Sequence, residues 1–373
     1  MINKIYIDNY KCFTNFEGHF GAMQLLLGDN GTGKSSTFEV LEKIHDFLIH
    51  GSPSSTVFLD STLTAWDLRN IQSFELGMSG NGGEYLYKLV IEHDRPGHRN
   101  RIKSEDLLFN GLPLYKFDGS DAHLFHDDHS PGPFFAYDWT RSLITTIPKR
   151  HDNQKLSWFR DHMEQIFVFY PDPMRMTGQS DSETDHPDRC LHQLSSWLRH
   201  LWQQQADFGA SLLSKLRDII DGLVNISLER TSESSRDLQF EFQFGEPSTK
   251  APVHTFRLKF DQLSDGQRNL VALYTILLSP AIHKNALVCL DEPDNFISLR
   301  EIQPWLIALR DKVQEHSGQC LIISHHPELI NYLATDCGLA YFRDESGPTR
   351  IKPFDGTSEG LITPAELVAR GWK

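Results

Sequence analysis

The run Gly28–Ser36 reads GDNGTGKSS and places Gly28, Gly33, Lys34 and Ser35 at the spacing G-x-x-x-x-G-K-[ST]. Glycines at those steps let successive backbone N–H groups converge on one point. A helix starting at Lys34 would aim its partial positive charge at the same point. The chemistry this suits is phosphate binding. Asn30, Gly31, Thr32, Gly33, Lys34, Ser35 and Ser36 are the candidate phosphate-binding residues, with Lys34 neutralising phosphate oxygens and Ser35 offering its hydroxyl to Mg²⁺. A tight strand-to-helix turn with an incidental lysine is the competing explanation, and the apolar strand before the loop and the helix after it favour a nucleotide. No base-reading motif separates ATP from GTP at this point.

A second group of residues lies far along the chain. Ala286–Pro293 reads ALVCLDEP, an apolar strand ending in two adjacent carboxylates. At the carboxyl end of a parallel strand, Asp291 could hold Mg²⁺ and Glu292 could orient or deprotonate an attacking water. About thirty residues on, another apolar strand ends in ISHHPEL. His325 or His326 would stand at the same sheet edge, and His325 is the better placed to bond a γ-phosphate and sense its presence.

Between these groups, Leu263–Leu273 reads LSDGQRNLVAL. Ser264 and Gln267, three residues apart, form a capping box before an apolar helix. Taken alone, this reads as a helix start, the alternative being a second glycine loop with chemistry of its own.

The elements that must carry these residues are legible as periodicity. Ile5–Phe13 and Met23–Leu27 read as strands, and Lys34–Leu48 as a helix. Phe74–Glu92 reads as a hairpin turned at SGNGG, and a second hairpin runs from Leu238–Phe244 to Phe256–Phe260. Leu114–Phe135 and Pro171–Asp188, rich in Gly, Pro, Asp, Ser and His, read as surface loops. Cys190–Val224 carries Leu and Ile at three- and four-residue spacing, with a stripe too wide for a coiled coil, and so reads as packed helices. The last third alternates helix Asn269–Leu278, strand Ala286–Leu290, helix Glu301–His316, strand Cys320–Ser324 and helix Pro327–Leu333. Such alternation with wholly apolar short strands indicates a parallel sheet covered on both faces.

The 373 residues suffice for a large core, and the net charge of −14 argues against a surface that is basic all over, although a local basic groove is compatible with it. No stretch is long and apolar enough for a membrane span, no secretory signal is visible, and the five cysteines are scattered; the expected setting is the reducing cytoplasm. His123, His126 and His129 in HLFHDDH could bind zinc if helical, but their polar, Gly- and Pro-rich flanks favour a solvated loop.

In this order, phosphate loop, LSDGQ, strand–Asp–Glu and strand-end His resemble the ABC-type ATPase heads of the branch that includes RecF, the SMC proteins and the overcoming-lysogenization-defect ATPases. NYKCF at Asn9–Phe13 resembles the family's aromatic and basic patch, and LSDGQ its signature loop. EPDNFISL at Glu292–Leu299 puts Asp294 at the acid position of the D-loop, with Ser298 and Leu299 where the family has His-Pro. Gln72 is a weak candidate for the family's Q-loop glutamine and reads rather as a surface residue.

The fold this implies is α/β: an ABC-type P-loop ATPase head with a mostly parallel core sheet, an antiparallel β subdomain and a helical lid insertion. The corresponding divisions are 1–95, the β subdomain and phosphate-loop half; 96–236, the inserted lid region; and 237–373, the half with the signature, the acidic pair and the strand-end histidine. The resemblance further implies ATP and Mg²⁺ as ligands and a homodimer that sandwiches two ATP. Ser264, Gly266 and Gln267 of one copy would then face the γ-phosphate held by the other. The chain lacks the length and heptads for SMC arms and lacks a clustered acidic triad of an appended nuclease. Two roles follow: an ATP-gated switch for a nuclease or toxin effector in prokaryotic anti-phage defence, or a RecF/SMC-like ATPase that binds DNA in repair or maintenance.

Overall fold

The computed structural model describes residues 1–244, 254–282, 286–345, 347–356 and 362–371. Along the chain run β1 (Ile2–Asp8), β2 (Phe16–His19), β3 (Met23–Leu27), α1 (Lys34–Leu48), α2 (Ser54–Val57), β4 (Ile71–Gly80), β5 (Gly83–Asp94) and β6 (Arg99–Phe109). Next come β7 (Leu112–Phe117), β8 (Asp121–Phe125), β9 (Pro131–Ala136), α3 (Gln154–Met163), β10 (Ile166–Phe169) and β11 (Gln179–Ser180). These are followed by α4 (Leu194–Gln204), α5 (Phe208–Arg217), β12 (Leu223–Arg230), β13 (Arg236–Phe244), β14 (His254–Lys259) and α6 (Asp265–Leu278). The last elements are β15 (Leu287–Asp291), α7 (Leu299–His316), β16 (Gln319–Ile323), α8 (Pro327–Cys337), β17 (Gly338–Arg343), β18 (Thr349–Pro353) and α9 (Pro364–Ala369).

The core is a six-stranded sheet in the order β10-β15-β16-β3-β17-β18, parallel throughout except for the edge strand β18. Its apolar strands divide their side chains between the two faces, as a period of two requires. Leu25, Leu27, Val288, Leu290, Cys320 and Ile322 enter one core, formed with α4–α8. Leu26, Leu287, Cys289, Leu321 and Ile323 enter the other, formed with α1 and the antiparallel sheet. That antiparallel sheet has eight strands in the order β2-β1-β4-β5-β6-β7-β8-β9. A small third sheet pairs β12, β11 and β14 with β13.

Several expectations need correction. The first strand ends at Asp8, not Phe13, because Asn9 and Lys11 take positive φ of 58° and 49° and break the extended run. The stretch 114–135 is not a loop: it supplies β7, β8 and β9 to the eight-stranded sheet. Its polar composition belongs to the outer face and the turns, while Leu114, Tyr115, Phe117 and Ala122 are buried. The helical stretch 190–224 is two helices, α4 and α5, and its end, Leu223–Val224, begins β12. The β4–β5 hairpin turns at Asn81 and Gly82, both at positive φ, as a tight two-residue turn demands. For the second hairpin, β13 pairs with β14 in register, and its turn lies outside the described residues.

Candidate functional site

Register puts the site together. Ile323 pairs with both Asp291 and Leu26, so β15, β16 and β3 end side by side. The phosphate loop after β3, the acids closing β15 and the histidines after β16 therefore leave the sheet at one carboxyl edge, where α/β sheets bind ligands.

Within the loop, Gly33 holds φ 99°, and a Cβ there would come within 2.7 Å of Cys12 Sγ and 2.8 Å of Phe13 Cζ. Only glycine lets the loop lie so close against NYKCF. Lys34 is buried, and its ammonium curls back to donate to the carbonyls of Gly28 at 2.7 Å and Asp29 at 3.1 Å. Thr32 Oγ1 donates to Asp29 O at 2.8 Å, and Thr349 Oγ1 to Thr32 O at 2.9 Å, so β18 braces the loop from behind. Asn30 and Gly31 stand exposed at the tip, Ser35 is exposed and Ser36 half-buried in the first turn of α1.

The start of α1 passes a test for an anion. Its N-cap, Gly33, supplies no side-chain acceptor and its first turn carries no acid, whereas the side chains of Ser264, His326 and Thr363 each accept from an amide of their own helix. First-turn N–H groups without a side-chain acceptor, beside a buried ammonium, suit a phosphate. The donor set for Mg²⁺ also fits: Ser35 Oγ lies 3.2 Å from Asp291 Oδ1, two hard oxygens side by side.

Asp291 is buried, and burial raises its carboxyl above the usual range against the opposing pull of Arg189 and Ser35. Arg189, which sequence reasoning missed, donates to Asp291 Oδ2 at 2.8 Å and lies 3.4 Å from Glu42. Glu292 holds φ 49°; its amide donates to Ile323 O at 2.8 Å, and its Oε2 accepts from Asn295 Nδ2 at 3.0 Å. Tyr170, at the end of β10 beside β15, is a second missed residue. Burial first, and then the Glu292 carboxylate, raise its hydroxyl. His325 is exposed two residues beyond Ile323, while His326 turns to cap α8 through Nδ1, accepting from the Glu328 amide at 3.2 Å. Asp294 is buried, and desolvation raises its carboxyl against a hydrogen bond from Ser324.

LSDGQ opens α6 as a capping box: Gln267 N donates to Ser264 Oγ at 3.2 Å and Ser264 N to Gln267 Oε1 at 3.1 Å. It is also tied to the acidic loop. Buried Asn269 donates to the carbonyls of Pro293 at 2.9 Å and Asn295 at 2.7 Å. Gly266 approaches so closely that a Cβ would meet Phe296 O at 2.7 Å. Ser264 stays exposed, as does the Phe296 side chain.

Other candidates fall outside this edge. Gln72 is no surface residue: it is fully buried in β4, donates to Asn9 O and Thr62 Oγ1, and faces His93 Nε2 at 3.0 Å. His123, His126 and His129 do not share a helical face. His123 stacks on Phe125, His126 lies 3.4 Å from Asp152, and His129 Nδ1 lies 3.1 Å from the carbonyl of Pro113. No helix of the described residues is long and apolar enough to cross a membrane.

Residues 25–331 match the family model described as "AAA domain, putative AbiEii toxin, Type IV TA system". Over 122 residues the chain is 29% identical to the ATP-binding protein Uup-like of Haemophilus influenzae, covering 33% of this chain and 23% of that protein. Over 215 residues it is 25% identical to the ABC transporter ATP-binding protein ARB1 of Saccharomyces cerevisiae, covering 55% of this chain and 32% of that one. The chain thus spans about a quarter to a third of the length of these relatives. Its fold is similar to the Smc head domain with a coiled coil and joint from Pyrococcus yayanosii, at TM-score 0.57 and 9% identity over 100% of this chain and 99% of that one. It is also similar to the Smc head domain from Pyrococcus furiosus bound to the C-terminal domain of ScpA, at TM-score 0.53 and 12% identity over 94% and 95%. The chain belongs to this AAA-domain family of ATPases, and its fold is that of the Smc head domains.

Proposed function

We propose that the chain binds ATP with Mg²⁺, closes head to tail with a second copy around two ATP, and acts as a nucleotide-gated switch for a partner effector, a nuclease or toxin, in prokaryotic anti-phage defence. The observation that carries this reading is the division of the site. The phosphate loop, Asp291 and Glu292 meet at one sheet edge through the Ile323 register, while Ser264 at the start of α6 is exposed.

In this reading Asn30–Ser36 hold the phosphates, and Lys34 neutralises their oxygens. Ser35 and Asp291 hold Mg²⁺, which when bound offsets charge on the β- and γ-phosphate oxygens. Glu292, held by Asn295, orients and deprotonates the water. His325 reads the γ-phosphate, and Ser264, Gly266 and Gln267 supply the other copy's half-site through a helix start and its dipole.

A family description that names a toxin system, and a relative's head bound to ScpA, support an output delivered through a partner. The net charge of −14 disfavours DNA as the first partner. The deciding experiment is co-purification with the products of neighbouring genes, run with and without ATP, beside a DNA shift assay at two salt concentrations. ATP-dependent capture of a nuclease or toxin is expected. Tight, ATP-dependent DNA binding by the protein alone would replace the switch with the maintenance role.

A further inference from the structure

The end of α1 opposite the phosphate loop carries His45 and Asp46 in its last turn and His50 just beyond it. His45 Nδ1 lies 3.5 Å from Asp46 Oδ1, and His50 Nε2 lies 3.8 Å from the same oxygen. One ligand atom from each residue falls within 4.8 Å of the others. Four-coordinate zinc, with bonds of about 2.0–2.1 Å, sets neighbouring donors about 3.3 Å apart, so these three stand almost at coordination spacing already. As hydrogen bonds the same contacts are long and weak.

Two further observations point to a ligand. The His45 side chain is 10% exposed, with Nδ1 turned to Asp46 and the other ring nitrogen, Nε2, without a hydrogen-bond partner among the described residues, so the imidazole is buried with little but this cluster to fix it. All three residues also line a cavity of about 300 Å³, together with His186 and Asp188 from the loop before α4. A cation there would have room for water at a remaining coordination position. Two imidazoles and one carboxylate suit zinc and its neighbours, not Mg²⁺, which takes oxygen ligands.

We infer that His45, Asp46 and His50 form a zinc-type divalent metal site, separate from the Mg²⁺–nucleotide edge and independent of the role proposed above. The site fastens the end of α1 to the chain that follows. It shares its cavity with Arg189 and Glu42, through which it adjoins the Asp291 ion pair.

The test strips the whole chain with chelator and titrates it with Zn²⁺ and, in parallel, Co²⁺, in the presence of excess Mg²⁺. Wild type is expected to take up one equivalent per chain, and Co²⁺ to show the intense visible absorption of a low-coordinate complex. His50→Ala and Asp46→Asn, both at half-exposed side chains, should weaken uptake by at least about tenfold. His50→Cys should restore it and add a sulfur-to-cobalt charge-transfer band, which a merely misfolded variant would not give. Lys34→Ala should leave uptake intact. Absence of stoichiometric uptake by wild type, uptake unchanged in His50→Ala, or uptake lost in Lys34→Ala overturns the site.

Discussion

The guanidinium of Arg189 lies 2.8 Å from the carboxylate of Asp291, although 102 positions separate them in the chain. The acid proposed to hold Mg²⁺ is thus already paired with a cation from the segment before α4. Mg²⁺ must share that carboxylate with Arg189 or displace it.

Arg189→Gln should therefore lower the Mg²⁺ concentration that gives half-maximal ATP hydrolysis. A charge-assisted hydrogen bond is worth roughly 1.5–3 kcal/mol in a buried setting, and Arg189 is a quarter exposed, so a shift of several-fold up to about tenfold is expected. An Mg²⁺ titration of initial rates reads it directly. An unchanged requirement would mean that Arg189 does not compete for the site.

Glu292→Gln should retain ATP binding and slow hydrolysis by about 10²–10⁴-fold, the range attributed to a positioned base. The glutamine can still accept from Asn295, so the loop after β15 should keep its shape. Single-turnover assays with labelled ATP, and sedimentation of the variant in ATP, check both halves. The dimer should accumulate because its nucleotide persists; hydrolysis at the wild-type rate removes Glu292 as the base.

Ser264→Arg should leave each monomer able to bind nucleotide and block the ATP-driven dimer. Ser264 is exposed, and the folding cost is that of a lost N-cap, about 0.5–2 kcal/mol. Nucleotide affinity by fluorescence and mass by sedimentation separate the two effects. A dimer that forms as in wild type would show that LSDGQ is a helix start and nothing more.

Glu105 sits fully buried between the hydroxyls of Tyr87, Tyr115 and Ser142, and burial pushes its carboxyl from 4.5 up to about 7. In this window the folded chain keeps a proton that the unfolded chain has lost. Glu105 therefore stabilises the fold below about pH 4.5, and that contribution falls as pH rises to about 7, by about 3 kcal/mol in all. His162, lowered by burial to about 4, acts in the opposite sense, its contribution being lost as pH falls through that value. The clean measurement is the difference between wild type and Glu105→Gln in urea melts from pH 4.5 to 8. The variant should gain on wild type as pH rises to about 7 and run parallel above it.

What the sequence disclosed was whatever depends on local order. The phosphate loop, the acids closing β15, the capping box of α6 and the alternating helices and strands of the final third are all short-range patterns, and the family match and fold agree with the ABC-type head read from them. Strands β7–β9 escaped because their inward residues are few and their turns rich in Gly, Pro and Asp, which reads as loop. Gln72 was read as surface because its hydrogen bonds to Asn9 and Thr62 come from distant segments that periodicity does not register. Arg189 and Tyr170 were invisible for the same reason. Neither belongs to a motif, and only the adjacency of β10 to β15 brings them to the acids.

The side-chain amide of Asn269 bridges two carbonyls of the loop that follows Glu292. It makes the start of α6 and that loop one mechanical piece, with Gly266 and Phe296 in contact at its outer end. In the proposed sandwich, the start of α6 would touch one copy's nucleotide while the carboxylate beyond the bridge works on the nucleotide of its own copy. The two hydrolysis events would then be reciprocal. Whatever loosens one pocket would be felt in the other through a single amide, and the pair would keep or release its two nucleotides in concert.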